Sequence, residues 1–98
     1  MGGKVTVQVQ KPDGTKIPGA RIVAVNHDAW AKQHKEWHGT TDASGAYTWP
    51  NMDTGLLGDR YTFSAAFEDG RDGKWAGESS HRIRKEALIT LTVNKRPD

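Results

Sequence analysis

Four tryptophans and four histidines stand among 98 residues, and they are the side chains best suited to binding or chemistry. An indole offers a flat apolar face and one polar N–H, which suits a half-wet surface such as a sugar ring or a peptide. Trp49 alternates with Tyr47 on one face of a short apolar run and is assigned to the core. Trp30, Trp37 and Trp75 have no such place. With His34 they make the candidate ligand-binding set. The plainer reading of Trp37 and Trp75 is that they cover the outer face of a sheet or seal its ends, since single exposed apolar residues need no functional explanation.

His27, His34 and His38 would converge on a metal if the segment between them were helical, because histidines four apart share a helix face. In a strand, His34 and His38 share a face but lie too far apart for one ion without a third ligand. Solvated histidines are therefore expected, with no metal site. Glu68, Asp69 and Asp72 crowd one turn, and calcium favours such oxygen-rich loops. Their spacing fits turn capping better. No nucleophile elbow, paired acid or phosphate-binding glycine loop occurs. The expectation is a protein without cofactor that is not an enzyme.

Composition narrows the field. The length fits one domain, residues 1–98, with a single modest core. Apolar residues make up 35% and charged residues 27%, and no apolar run approaches a membrane span. The absence of cysteine excludes disulfides and thiolate chemistry. A net charge of +2 is too small a surplus to argue for nucleic acid. Arg82, Arg84 and Lys85 are the densest basic cluster, and a solvated sheet edge explains them as well as an anion site does. Met1-Gly2-Gly3 has no apolar stretch behind it, so the chain reads as intracellular or as a piece of a longer protein.

The elements that must position these residues are strands. Period-two alternation predicts strands over 4–10, 20–27, 34–41, 46–49, 60–68, 74–83 and 86–94. Residues 28–38 are ambiguous, because Trp30, His34, Trp37 and His38 also fall at helical spacing; a loop to about Gln33 and then a strand is preferred. Pro50 is expected to stop the fourth strand, with Met52 as an apolar plug behind it. Leu56 and Leu57 are expected to tuck inward from a glycine-containing loop. The polar strand 74–83 reads as an edge. Seven short strands with no convincing helix mean an all-β, seven-stranded antiparallel β-sandwich. Val5, Ile22, Tyr47, Trp49, Tyr61, Phe63, Phe67, Ile89 and Leu91 would fill its middle.

Three stretches, PDGTKIPGARIVAV, TTDASGAYTWPNM and DRYTFSAAF, together resemble the carboxypeptidase regulatory-like domain, within the wider transthyretin-like and collagen-binding B-type group. The resemblance covers nearly the whole chain and implies a prealbumin-like/Ig-like sandwich. Its motifs are turn glycines and core aromatics, so they specify fold and say little of function. Asp59 stands where the pattern has glycine. The resemblance implies a non-catalytic accessory or spacer module of a larger surface or secreted protein, although a cytoplasmic location fits the composition equally. Some collagen-binding B-type relatives form an isopeptide bond between end strands. Lys4 and Asn94 lie at suitable ends, but Lys4 is out of phase with Val5, Val7 and Val9 and no acid falls on the inward face of the Tyr61 strand. Two other readings stand beside the accessory module. One is a carbohydrate-binding module that stacks sugars on the exposed tryptophans. The other is an assembly domain that pairs with a protein partner through the 74–83 edge.

Overall fold

The computed structural model of the protein describes residues 2–28 and 35–97. Among these, the regular elements are all strands: β1 (Gly2–Gln10), β2 (Arg21–Asn26), β3 (Glu36–Thr40), β4 (Ala46–Asp53), β5 (Asp59–Asp69), β6 (Gly73–Ile83), β7 (Ala87–Thr92) and β8 (Asn94–Lys95). They form a three-stranded sheet, β4-β1-β7, and a five-stranded sheet, β3-β2-β5-β6-β8. Alternation dictates which side chains meet. Val5, Val7 and Val9 of the first sheet and Ile22, Ala24, Tyr61 and Phe63 of the second join one buried cluster, the layering of a sandwich. No helix among the described residues is long and apolar enough to cross a membrane.

Several expectations need correction. Strand β1 pairs antiparallel with β4 but parallel with β7. Period-two patterning encodes which face is buried and carries no strand direction, so the wholly antiparallel reading could not have detected this. The last predicted strand is two. The chain leaves the first sheet after Thr92 and joins the second at Asn94, with the Val93 N–H held by the Gln10 carbonyl at 2.8 Å. Eight described strands therefore replace seven. Strand β3 begins at Glu36 rather than His34, and His34 lies outside the described residues.

Pro50 does not end β4. The register with β1 shifts between Gly3, opposite Met52, and Val5, opposite Trp49, so β4 carries one extra residue at a bulge around Pro50 and Asn51. Since β4 is an edge strand, a proline there costs no ladder bond to a second neighbour. Met52 is fully buried, as its role as a plug requires. The 74–83 edge is edge-like only in part. Trp75 and Ala76 pair with β8, whereas all of β6 pairs with β5.

The chain passes from one sheet to the other between β3 and β4, and this crossing is closely specified. Asp42 Oδ1 accepts bonds from the Ser44 N–H, the Ser44 hydroxyl and the Ala46 N–H, which together hold its carboxyl below the ordinary range, the hydroxyl foremost. Gly45 closes the turn at φ 80°, a conformation that disfavours a side chain. Just before the turn, the buried Thr41 hydroxyl donates to the Ile17 carbonyl at 2.7 Å and accepts from the Ala20 N–H at 2.8 Å. Gly39 lies against the Tyr47 ring, where a Cβ would come within 2.5 Å. Tyr47 meets Trp49 edge-on at 5.1 Å between centroids. The Trp49 indole N–H then reaches back across the crossing to the His38 carbonyl at 3.1 Å.

One end of the molecule is built on buried polar groups instead. Asp59, 3% exposed, accepts from Asn26 Nδ2 at 2.9 Å and from the Gly55 N–H at 2.8 Å. Asn26 Oδ1 accepts from the Asp28 N–H, and Asp28 in turn accepts from the Arg60 N–H. The Tyr61 hydroxyl donates to the Asp53 carbonyl at 2.7 Å. Burial pushes the Tyr61 phenol up to about 12; the charges of Asp53, Asp59 and Asp28 reinforce this, and its contact with Asn26 opposes it.

Two outcomes are expected. Thr41→Val keeps the shape but leaves a buried carbonyl and a buried N–H unpaired, and should cost about 2 kcal/mol in urea unfolding, whereas Thr41→Ser should cost under half as much. An equal loss for both would mean that the hydroxyl matters no more than the methyl group. Second, a phenol whose folded pKa lies above its unfolded value stabilises the fold below the unfolded pKa and loses that contribution as pH rises through the folded one. Unfolding free energy should therefore fall between pH 10 and about 12, and Tyr61→Phe should flatten that fall.

Candidate functional site

The outer face of the five-stranded sheet is made by the residues that alternate away from the core. Arg21 of β2, Ala66 of β5 and Ala76 of β6 stand in one row across three neighbouring strands, and Val23, Ser64 and Glu78 make the next row. Strands lie about 4.8 Å apart, so three small side chains in adjacent positions (Ala66, Ala76 and Ser64) leave a floor little higher than the backbone. The face is concave and holds a groove of about 840 Å³. A second hollow of about 450 Å³ adjoins it and shares Arg21, Ala66, Ala76 and Arg96 with the first.

Charge is placed asymmetrically around this floor. Arg21 stands on one side. Arg96 stands on the other, placed by its N–H bond to the Lys74 carbonyl at 2.7 Å. Both guanidinium groups are exposed, and neither makes an ion pair with another described residue. His38 and Glu78 line the far end, and His38 Nε2 lies 3.3 Å from Glu36. The groove thus offers cations with no carboxylate partner among the described residues, over an alanine floor, a surface suited to a narrow ligand bearing negative charge.

The residues singled out from sequence are distributed differently. Trp37 sits opposite Ala24 on the inward side of β3, half-buried against the core. Trp75 sits opposite Phe67, likewise inward and half-buried, though it also borders the smaller hollow. Lys11 Nζ lies 4.7 Å from the centre of the Trp75 ring and 3.2 Å from Asp72, which Lys95 approaches at 3.9 Å. The Trp75 indole N–H is buried without an acceptor. Trp30 and His34 lie outside the described residues. Trp37 and Trp75 are not brought together, since β2 and β5 lie between their strands, β3 and β6, in the sheet.

The remaining histidines act locally. His27 Nε2 is 2.6 Å from the Thr62 hydroxyl, and His81 Nε2 is 2.8 Å from the Ser79 hydroxyl. Among the described residues no group of three His, Asp or Glu side chains is arranged to hold a metal ion. In the 68–72 turn, Asp69 caps the Arg71 N–H at 2.9 Å, and Asp72 serves the lysines beside Trp75. Sequence reasoning singled out neither Arg21 nor Arg96. The strand pairing that places them on either side of the alanines is a long-range fact.

Comparison with protein families finds no match for the chain, and no curated protein is significantly similar to it.

Two of the inward tryptophans, Trp49 and Trp75, should respond differently to substitution. Trp49→Phe removes a bonded indole from the core and should cost about 2–3 kcal/mol. Trp75→Phe removes a buried N–H that has no acceptor, so its cost should be smaller by 1 kcal/mol or more by the same reasoning. Denaturant midpoints of the two variants test this, and equal losses would contradict it.

Proposed function

We propose that the chain is a non-catalytic binding module of a larger surface or secreted protein, built on a carboxypeptidase regulatory-like sandwich of the prealbumin-like/Ig-like type. The motif residues support the family reading through the places they occupy. Gly14, Gly19 and Gly45 all take positive φ, and Tyr47, Trp49, Tyr61 and Phe63 all pack in or against the core. Asp59, the departure from the pattern, does different work as the buried acceptor of two hydrogen bonds.

The observation that carries the binding role is the groove with Arg21 and Arg96, which have no ion-pair partner among the described residues, across an alanine floor. An extended acidic segment of a partner protein suits it: the backbone can lie flat over Ala66 and Ala76, and carboxylates can reach either guanidinium. A second reading rests on Trp75, which borders the adjoining hollow beside Lys74. There the ligand would be an acidic polysaccharide, with a sugar ring against the exposed part of the indole.

Titration of the protein with acidic peptides and with uronic-acid polysaccharides, followed by tryptophan fluorescence and by amide chemical shifts, separates these readings. Saturable shifts at Ala66 and Ala76 with peptide are expected. They should weaken roughly tenfold or more in Arg21→Glu with Arg96→Glu and fall with added salt. Binding of polysaccharide alone, with quenching lost in Trp75→Phe, would favour the second reading. Ligand shifts confined to other faces would remove the groove from the function.

A further inference from the structure

The sequence pattern places Leu56 and Leu57 inward, and the structure places them outward. Leu56 is 91% exposed and Leu57 73% exposed, at the tip of the loop that joins β4 to β5. Adjacent leucines exposed to this degree are unusual on a small domain that buries its other large apolar side chains well, Leu88 apart. The tip is also not loose. The Gly58 N–H closes a tight turn on the Gly55 carbonyl at 3.0 Å. The Gly55 N–H is anchored on the buried Asp59 carboxylate at 2.8 Å. The base of the loop therefore holds the two leucines in solvent, with part of the backbone ordering already met before a binding step.

A basic collar lies beside them. Gly58 takes φ 87° and packs against the stems of two arginines: a Cβ there would lie 2.8 Å from Arg84 Cγ and 3.0 Å from Arg82 Cγ. The Arg82 guanidinium donates to the Gly58 carbonyl at 3.1 Å. Arg84 and Lys85 follow β6, exposed in the bend that leads to β7, and neither has an ion-pair partner among the described residues. These two residues are beyond the strand, which corrects the expectation of a basic sheet edge. Of the acids at this end, Asp59 is buried and bonded, Asp28 caps the Arg60 N–H, Glu86 lies 3.9 Å from Lys4, and Asp53, half-buried at the end of β4, acts on the Tyr61 phenol; none of them pairs with Arg84 or Lys85 among the described residues.

We propose that the Leu56–Leu57 tip is a membrane-docking element, which inserts into the interfacial region of an anionic bilayer while Arg84 and Lys85 sit over the acidic headgroups. A pair of apolar side chains on a short rigid turn reaches the depth that interfacial binding uses, and basic residues at its base meet the negative surface potential. Charge complementarity points to this occupant: an anionic bilayer offers an apolar region directly beneath a continuous negative surface, so one contact takes up both the leucines and the cations beside them.

The test is sedimentation of the protein with vesicles of phosphatidylcholine alone and of phosphatidylcholine mixed with phosphatidylserine. Binding to the mixed vesicles, weak on the neutral ones and reduced by added salt, is expected. Leu56→Ser with Leu57→Ser should lower the partition coefficient roughly tenfold or more. Arg84→Gln and Lys85→Gln should each lower it about fivefold on anionic vesicles and leave the neutral ones unaffected. All four side chains are exposed, so the variants should keep the parent's thermal midpoint, which a melting curve checks. Failure of the parent to bind mixed vesicles would overturn the proposal. So would equal binding by the leucine variant, or a change in its oligomeric state by ultracentrifugation with no change in vesicle binding, which would mark the tip as a protein contact.

Discussion

The passage of the chain from one sheet to the other between Gly39 and Trp49 is the constraint on which the rest depends. A sandwich must connect its layers by a segment whose backbone groups lose their ladder partners, and buried unpaired groups are costly. Here that segment is satisfied at each step. Thr41 serves the backbone of Ile17 and Ala20, Asp42 serves Ser44 and Ala46, and the Val9 N–H takes the Gly45 carbonyl. The Trp49 indole finally bonds the strand the chain has just left. The crossing therefore fixes the offset between the sheets, and with it which residues of β2, β5 and β6 face away from the core.

That offset decides the character of the two outer faces. Aromatic bulk is concentrated inside, where Trp49 lies 6.3 Å from Phe63 and Phe63 lies 5.9 Å from Tyr61 between ring centroids. Trp37 and Trp75 extend the same core to its margins. What remains outside on the larger sheet is small or charged, and a sheet of small side chains forms a hollow once its neighbours carry long ones. The groove between Arg21 and Arg96 is thus a by-product of where the aromatics went. On the three-stranded sheet the outward residues are mostly threonine and glutamine, with Lys4 and the exposed Leu88 among them, and Thr6 and Thr48 are bonded to each other at 2.9 Å.

The polar end works by different physics. Asn26, Asp59 and Tyr61 bury hydrogen-bonding groups that are worth little net stability when paired and cost much when one partner is removed. Their effect is positional. They set the base of the 54–58 loop, and a well-anchored base lets the leucines project instead of collapsing onto the core. The groove on the larger sheet and the leucine tip consequently occupy different parts of the surface and rely on different supports, so substitutions in one should leave the other intact.

The sequence by itself determined the class of the fold and most of its core. Val5, Ile22, Trp49, Tyr61, Phe63, Ile89 and Leu91 were legible as inward residues because period-two alternation is local, and each is buried. The turn at Asp42–Gly45 was legible for the same reason: its side-chain bonds reach no further than four residues. Tertiary structure decided the rest. The parallel pairing of β1 with β7, the bulge that carries Pro50 through β4 and the switch of sheets after Thr92 depend on which strands become neighbours. Leu56 and Leu57 misled because apolar character predicts burial only where the backbone can bring a residue to the core, and the anchor on Asp59 prevents it. Arg21 and Arg96 lie 75 positions apart in the chain, and no local pattern relates residues so distant. Only strand order set them on either side of the same alanines.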